Sequence, residues 1–177
     1  MKKIFFLLML VSIIFCNVGI CFAETLVRVS DYTVNEFYRK YNDTANNITK
    51  NHIIANEYPF LGHEGLNYNN YLMLCGSYGK ATSIILRANK EGHVSAISIS
   101  TPMNSQESIS VGTGVLKNII LVLGLPEVTG KIMLEDISNG KNPTFQYCYG
   151  TQRYIFMKAF LDKASGMYNT DLYAVVD

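Results

Sequence analysis

Side chains able to do covalent or metal chemistry are scarce in this sequence. It holds four cysteines and three histidines, His52, His63 and His93. Cys16 and Cys21 fall in an N-terminal apolar run, which leaves Cys75 and Cys148 as candidates for chemistry. A cysteine nucleophile needs a base beside it. His52 and His63 stand in a polar stretch and His93 follows the Glu91-Gly92 turn, so none marks a Cys-His pair. A metal site would show close ligand spacing such as Cys-x-x-Cys or His-x-x-x-His, and neither occurs. Glu135-Asp136 is a lone pair of adjacent carboxylates, and neighbours on a helix do not face one another. GTG at residues 112–114 sits inside an apolar helical pattern, without the strand-to-helix turn or the lysine of a phosphate-cradling loop. Asn42-Asp-Thr44 and Asn47-Ile-Thr49 match glycosylation acceptors, which matter only in a eukaryotic secretory pathway. The residues therefore predict no catalytic site, no metal and no cofactor, and a protein that is not an enzyme.

Cys75 and Cys148 each close an apolar run ahead of a glycine-bearing turn, in LMLCGSYGK and FQYCYGTQR. In an oxidising compartment they are candidates for a single disulfide. The chain-entropy treatment would give such a bridge about 4 kcal/mol. The alternative is two small buried apolar residues. Geometry decides between them, because Cα atoms more than about 7 Å apart cannot be bridged.

The compartment is itself readable. MKKIFFLLMLVSIIFCNVGICFA has Lys2 and Lys3 ahead of an apolar run and ends with Cys21 and Ala23 at the two positions a signal peptidase inspects. Asn17 and Gly19 interrupt the run and no basic stop-transfer cluster follows, so residues 1–23 are expected to be a cleaved signal peptide and not a membrane anchor. Ile20 before Cys21 and Phe15 before Cys16 argue against a lipid anchor. The product is expected in the periplasm, on the cell surface or outside. Of 15 basic residues the leader removes two, leaving 13 against 14 acidic ones. A near-neutral chain whose Lys and Arg stand singly argues against a nucleic-acid partner.

The elements that would position any site follow from periodicity. Thr33 precedes Glu36 by three residues, a capping box, and apolar residues then recur at helical spacing over 34–48. TKNHIIANEYPFLGHEGLNYNN reads as loop with one helical turn near Ile53. Three strands are expected over 71–75, 83–88 and 93–100, paired as antiparallel hairpins across GSYGK and NKEG. Asn104, three residues before Glu107, is a second capping signal. The helix it opens runs to Leu123, with Gly124 and Pro126 as its stop. A short helix over 131–137 and strands over 145–149, 154–161 and 168–176 complete the chain.

The two halves thus repeat one series. Thr33 and Asn104 lie 71 residues apart, Cys75 and Cys148 lie 73 apart, and Gly92 and Gly166 lie 74 apart. The predicted fold is α+β: two tandem repeats, residues 24–101 and 102–177, forming one compact domain. Each is a helix or helix pair followed by a three- to four-stranded antiparallel meander, with helices packed on one sheet face. The series from TVNEFYRKYNDTANNI through AISIS, and from NSQESISVGTGVLKNIILVLGLP through DLYAVV, resembles the β-lactamase-inhibitor protein and related small exported bacterial modules. That resemblance is one of pattern, and it implies a sheet whose exposed face binds another protein.

Tyrosine abounds, with 12 copies, while tryptophan is absent. Phe145, Tyr147 and Tyr149 share one strand face by alternation, either as core beneath the helices or as an interface surface. Tyr168 and Tyr173 must face opposite ways. Tyr147, Tyr149 and Tyr154 are the candidate interaction surface. The expected function is an exported non-catalytic module that contacts a protein or envelope component through its sheet face and turns. A binder of a small apolar or aromatic ligand in a helix-sheet pocket is the alternative, and a hydrolase with an unrecognised site a second one.

Overall fold

The computed structural model describes residues 28–57, 69–77, 80–125, 135, 144–149 and 153–175, with backbone alone for 57, 144–149, 153, 154 and 175. The expected leader, His63, Asp136 and the helix expected over 131–137, apart from Glu135, lie outside the described residues. The fold is α+β, with helices α1 (Val34–Asp43) and α2 (Gln106–Val122) and one antiparallel sheet. Its strands are β1 (Ala55–Glu57), β2 (Asn69–Cys75), β3 (Thr82–Ala88), β4 (Val94–Pro102), β5 (Thr144–Tyr149), β6 (Arg153–Asp162) and β7 (Met167–Val175). Across the sheet they run β1-β2-β3-β4-β7-β6-β5.

The capping box at α1 forms as expected. The Thr33 hydroxyl accepts from the Glu36 amide, and the Glu36 carboxylate accepts from the Thr33 amide at 2.9 Å. These bonds hold the Glu36 carboxyl below the usual carboxylate range. Val34, Phe37 and Tyr41 form the buried stripe. The helix widens into a π-turn over Thr44–Ile48 and then stops without glycine, Lys50 and His52 taking φ of 52° and 54°. Such left-handed backbone costs an L-residue about 1–2 kcal/mol.

What holds this turn is Asn51 between the two. Its side-chain amide donates to Asn118 Oδ1 at 3.0 Å and to the Gly114 carbonyl at 3.4 Å. Thr49 Oγ1 donates to the same Asn118 oxygen at 2.7 Å. Asn51 Oδ1 also accepts from the Ile53 amide, so the segment near Ile53 is a side-chain-capped turn and the expected helical turn does not form. The chain then enters β1, where the sequence predicts loop. Three residues carry no legible alternation, and β1 exists because Asn42 clamps Ala55 through both its N–H and its carbonyl while Ala55 pairs with Cys75.

At α2 the cap is Ser105, one residue past the expected Asn104. Its backbone is extended and its hydroxyl accepts from the Ser108 amide at 3.1 Å. Asn104 has a different task, accepting from the Ser108 hydroxyl. The helix ends at Gly124, φ 67°, with Leu125 N–H donating to the Ile120 carbonyl and Gly124 N–H to Leu121, the Schellman arrangement.

Alternation divides the sheet. Met73, Ile84, Leu86, Ile97, Ile99, Met157 and Leu172 are buried on one face. The helices touch residues of this face: the Tyr41 hydroxyl lies 3.5 Å from Cys75 Sγ, and a Cβ placed on Gly112 would meet Thr101 Oγ1 at 2.5 Å. Glycine in GTG is thus a packing requirement, Gly112 against Thr101 and Gly114 against Ile53.

Candidate functional site

The strand positions left over from the core make a second surface, and the register orders it in rows. Leu72, Ile85, Ser98, Asp171 and Lys158 lie side by side on five adjacent strands. Asn70, Arg87, Ala96, Tyr173 and Phe156 form the next row, and Leu74, Ser83, Ser100, Asn169 and Phe160 a third. Not one of these fifteen side chains is buried. Tyr173 is 40% exposed and Ile85 36%.

The chemistry of the face is zoned. Polar residues hold its middle, where Ser98 Oγ donates to Asp171 Oδ1 at 2.7 Å and Ser100 Oγ donates to Asn169 Oδ1 at 2.5 Å. Toward β6 the face is aromatic: Phe156 and Tyr173 stack with centroids 5.6 Å apart, and the Lys158 ammonium lies 5.8 Å from the Phe160 centroid. Toward β2 it is aliphatic, with Leu72, Leu74 and Ile85. Cross-strand hydrogen bonds and ring pairs each hold a pair by about 0.2–1 kcal/mol, so the surface is ordered. A β-bulge at the Arg87/Ala88 step adds Ser95 to β4, and Ser95 Oγ donates to the Arg87 carbonyl at 3.0 Å.

The expected site residues fare differently. Tyr147 and Tyr149 lie in β5, in register with Ile155 and Arg153, and Tyr154 lies in β6 opposite Cys148. The side chains of all four lie outside the described residues. Tyr168 and Tyr173 do face opposite ways, the first buried and the second exposed. Of the two readings open for Cys75 and Cys148, a disulfide or small buried residues, Cys75 takes the second: it is a buried free thiol. It belongs to β2 and Cys148 to β5, five strand steps apart. At about 4.8 Å per step that is roughly 24 Å, far beyond bridging distance. The two lie far apart because β4 pairs with β7, which leaves β2 and β5 on opposite sides of that junction. Burial pushes the Cys75 thiol up to about 11, and burial with the nearby sulfur pushes Tyr41 upward as well.

His52 is exposed, its ring 3.5 Å from Asn46 Oδ1. His93 is half-buried, its backbone bridging to Thr33. Among the described residues no three His, Cys, Asp or Glu side chains come together as a metal site, and no helix is long and apolar enough to cross a membrane. Between α2 and strands β4 and β7 lies a pocket of about 40 Å³ lined by Ile99, Met103, Gly112, Leu116 and Tyr168 among others. That is room for water, whereas a cavity of about 150 Å³ takes benzene.

Sequence reasoning passed over Ser98, Ser100, Asp171, Phe156 and Lys158. Their signal was present as the non-core positions of strands it had found, with AISIS alternating Ile and Ser, but it gains meaning only once strand order sets these positions side by side. No protein-family model, curated protein or solved structure matches the chain.

Proposed function

We propose that the protein is an exported, non-catalytic module that binds a protein or envelope component through the open face of its sheet and the turns around it. The observation that carries this reading is the ordered open face itself: apolar and aromatic side chains at both ends and hydrogen-bonded polar pairs between them. Its three rows on five strands span roughly 20 by 20 Å with side-chain width. That is about 400 Å², half of the roughly 800 Å² a protein usually commits to a stable interface. Adjoining turns, such as Asn89–His93 and Lys163–Gly166, therefore have to take part.

The same reading treats the chain as two tandem repeats whose helices lie on one face, in the manner of the β-lactamase-inhibitor protein. Its support is the strand order β2-β3-β4-β7-β6-β5, two meanders joined by their last strands, with α1 near Cys75 and α2 near Thr101 on the buried side. Export rests on the leader.

The test is recovery of partners from envelope extracts by the mature protein and two face variants, Ile85→Arg and Tyr173→Ser. Arg39→Ser, on the exposed side of α1, is the control. A species recovered by wild type and control and lost with both face variants supports the reading; equal recovery by all four proteins overturns it.

A further inference from the structure

We propose that the occupant this open face fits is a second copy of the chain, the two sheets packed face to face about a two-fold axis that runs along the strands between β6 and β7. The proposal rests on the reading of this face as a docking surface and names what docks there.

Three rows cross the line between these strands: Phe156 beside Tyr173, Lys158 beside Asp171, and Phe160 beside Asn169. Lys158 and Asp171 are opposite charges at directly facing positions, yet they form no ion pair with each other. Asp171 Oδ1 instead accepts from Ser98, and the Lys158 ammonium lies 5.8 Å from the Phe160 centroid. Lys158 is exposed and Asp171 half-buried. Both charges can therefore be met from outside the chain. A fitting surface carries an acid over Lys158, a base over Asp171 and apolar rings over Phe156 and Tyr173.

The face itself supplies that pattern. A half-turn about the axis exchanges the two strands and keeps the rows in step, so β6 of one copy lies over β7 of the other. Lys158 of each copy then stands over Asp171 of the other. The stacked Phe156–Tyr173 pair, 12° between planes, meets the same pair. Aligned sheets pack about 10 Å apart, a gap that an extended lysine and an aspartate span together. A two-fold axis across the strands through this row would instead set Lys158 over Lys158 and Asp171 over Asp171, and like charges reject it.

Four strands overlap, β4 of each copy over β5 of the other, while β2 and β3 extend past them. Four strands and three rows cover about 400 Å² on each copy, below the roughly 800 Å² of a stable interface. The dimer is thus one that forms on concentration, with its pairing set by charge.

The test is sedimentation equilibrium of the mature protein between about 1 µM and about 1 mM, where a monomer-dimer equilibrium is expected. Lys158→Asp alone and Asp171→Lys alone should each weaken self-association by at least about tenfold, because two attractive contacts become repulsive. Mixed in equal amounts, the same two variants should associate at least as tightly as wild type, since every crossed pair is then acid over base. Tyr173→Ser should weaken the dimer, whereas Ile85→Arg, on β3 outside the overlap, should leave it. In a sample of labelled and unlabelled copies, isotope-filtered NMR should show contacts from the Phe156 ring of one copy to the Tyr173 ring of the other. A chain still monomeric at the highest concentration, single charge variants that dimerise like wild type, or a mixture that fails to associate would each overturn the proposal. The docking reading fails separately. If the chain stays monomeric while Ile85→Arg and Tyr173→Ser abolish recovery of an envelope partner, the docking face stands and the second copy falls. If the crossed dimer forms and all four proteins recover envelope components equally, the second copy stands and docking of another component falls.

Discussion

Gly112→Ala tests how closely α2 lies on the sheet. On an exposed helix this change gains about 1 kcal/mol, because glycine is the poorer helix former. Here the new methyl would stand 2.5 Å from Thr101 Oγ1 and closer still to Thr101 Cγ2. Carbon contacts prefer about 3.5–4.0 Å, so the helix or the threonine has to move by about 1 Å. The threonine is not free to move, since its hydroxyl lies 3.2 Å from that of Thr82 and both residues are buried. Overpacking of this kind costs about 1–3 kcal/mol. Set against the propensity gain, the expected net loss is about 0–2 kcal/mol, or a Tm lower by up to about 8 °C in a chain of this size. Urea unfolding followed by circular dichroism, with an unchanged m-value, measures it. Thr113→Ala, on the same helix and only half-buried, controls for propensity. In a double-mutant cycle Thr101→Ala should recover part of the loss, because the atoms nearest the methyl are gone. Gly112→Ala stabilising by the full propensity value would refute the close approach. Gly114→Ala should cost less, because the atom in its way is Ile53 Cδ1, the far end of a flexible side chain.

Three further perturbations address other joints of the fold. The Cys75 thiol, ordinarily near 9.0 and raised to about 11 in the fold, favours the folded state fully below pH 9 and loses that contribution as pH rises through 11. Tyr41 shifts in the same direction. Urea midpoints should therefore fall between pH 9 and 11, with a shallower fall in Cys75→Ala, and iodoacetamide should label Cys75 only after unfolding; rapid labelling of the native protein would contradict its burial. Asn118→Ala removes the acceptor that Thr49 and Asn51 share, leaving them the Thr44 and Gly114 carbonyls, and should cost about 1–3 kcal/mol. It should also speed tryptic cleavage after Lys50, which limited proteolysis reads directly. Thr33→Ala removes a helix cap worth about 1 kcal/mol. The Glu36 pairing it supports contributes above the ordinary pKa of 4.5 and is lost as pH falls through the lowered folded value, so the acid side of the stability profile should flatten in Glu36→Gln.

Much of this fold is legible because its determinants are local. The Thr33 capping box, the helical stripe of Val34, Phe37 and Tyr41, and the Gly124 stop act within a few residues, and each is found where the sequence puts it. The strands of both meanders follow from apolar runs between turns and lie within two residues of the expected bounds. The exceptions depend on distant partners. Strand β1 has no signal of its own and forms because Asn42 and Cys75 hold Ala55. The turn at Asn51 is set by Asn118, 67 residues away. At α2 two adjacent residues both suit a cap, and the backbone rotation at Ser105 selects it.

For the candidate site the balance is reversed. The sequence alone determines which residues alternate on each strand, that Tyr168 and Tyr173 face opposite ways, and that no close-spaced nucleophile or metal motif is present. It does not determine which strands are neighbours, because side-chain alternation is a property of one strand and sheet order is a property of all of them. Only the junction of β4 with β7 brings Ser98 to Asp171 and Ser100 to Asn169, stands Tyr173 beside Ala96, and carries Cys75 and Cys148 to distant strands. The tertiary structure decides these matters because hydrogen-bonded strand pairing, unlike periodicity, joins residues about 70 positions apart at contact distance.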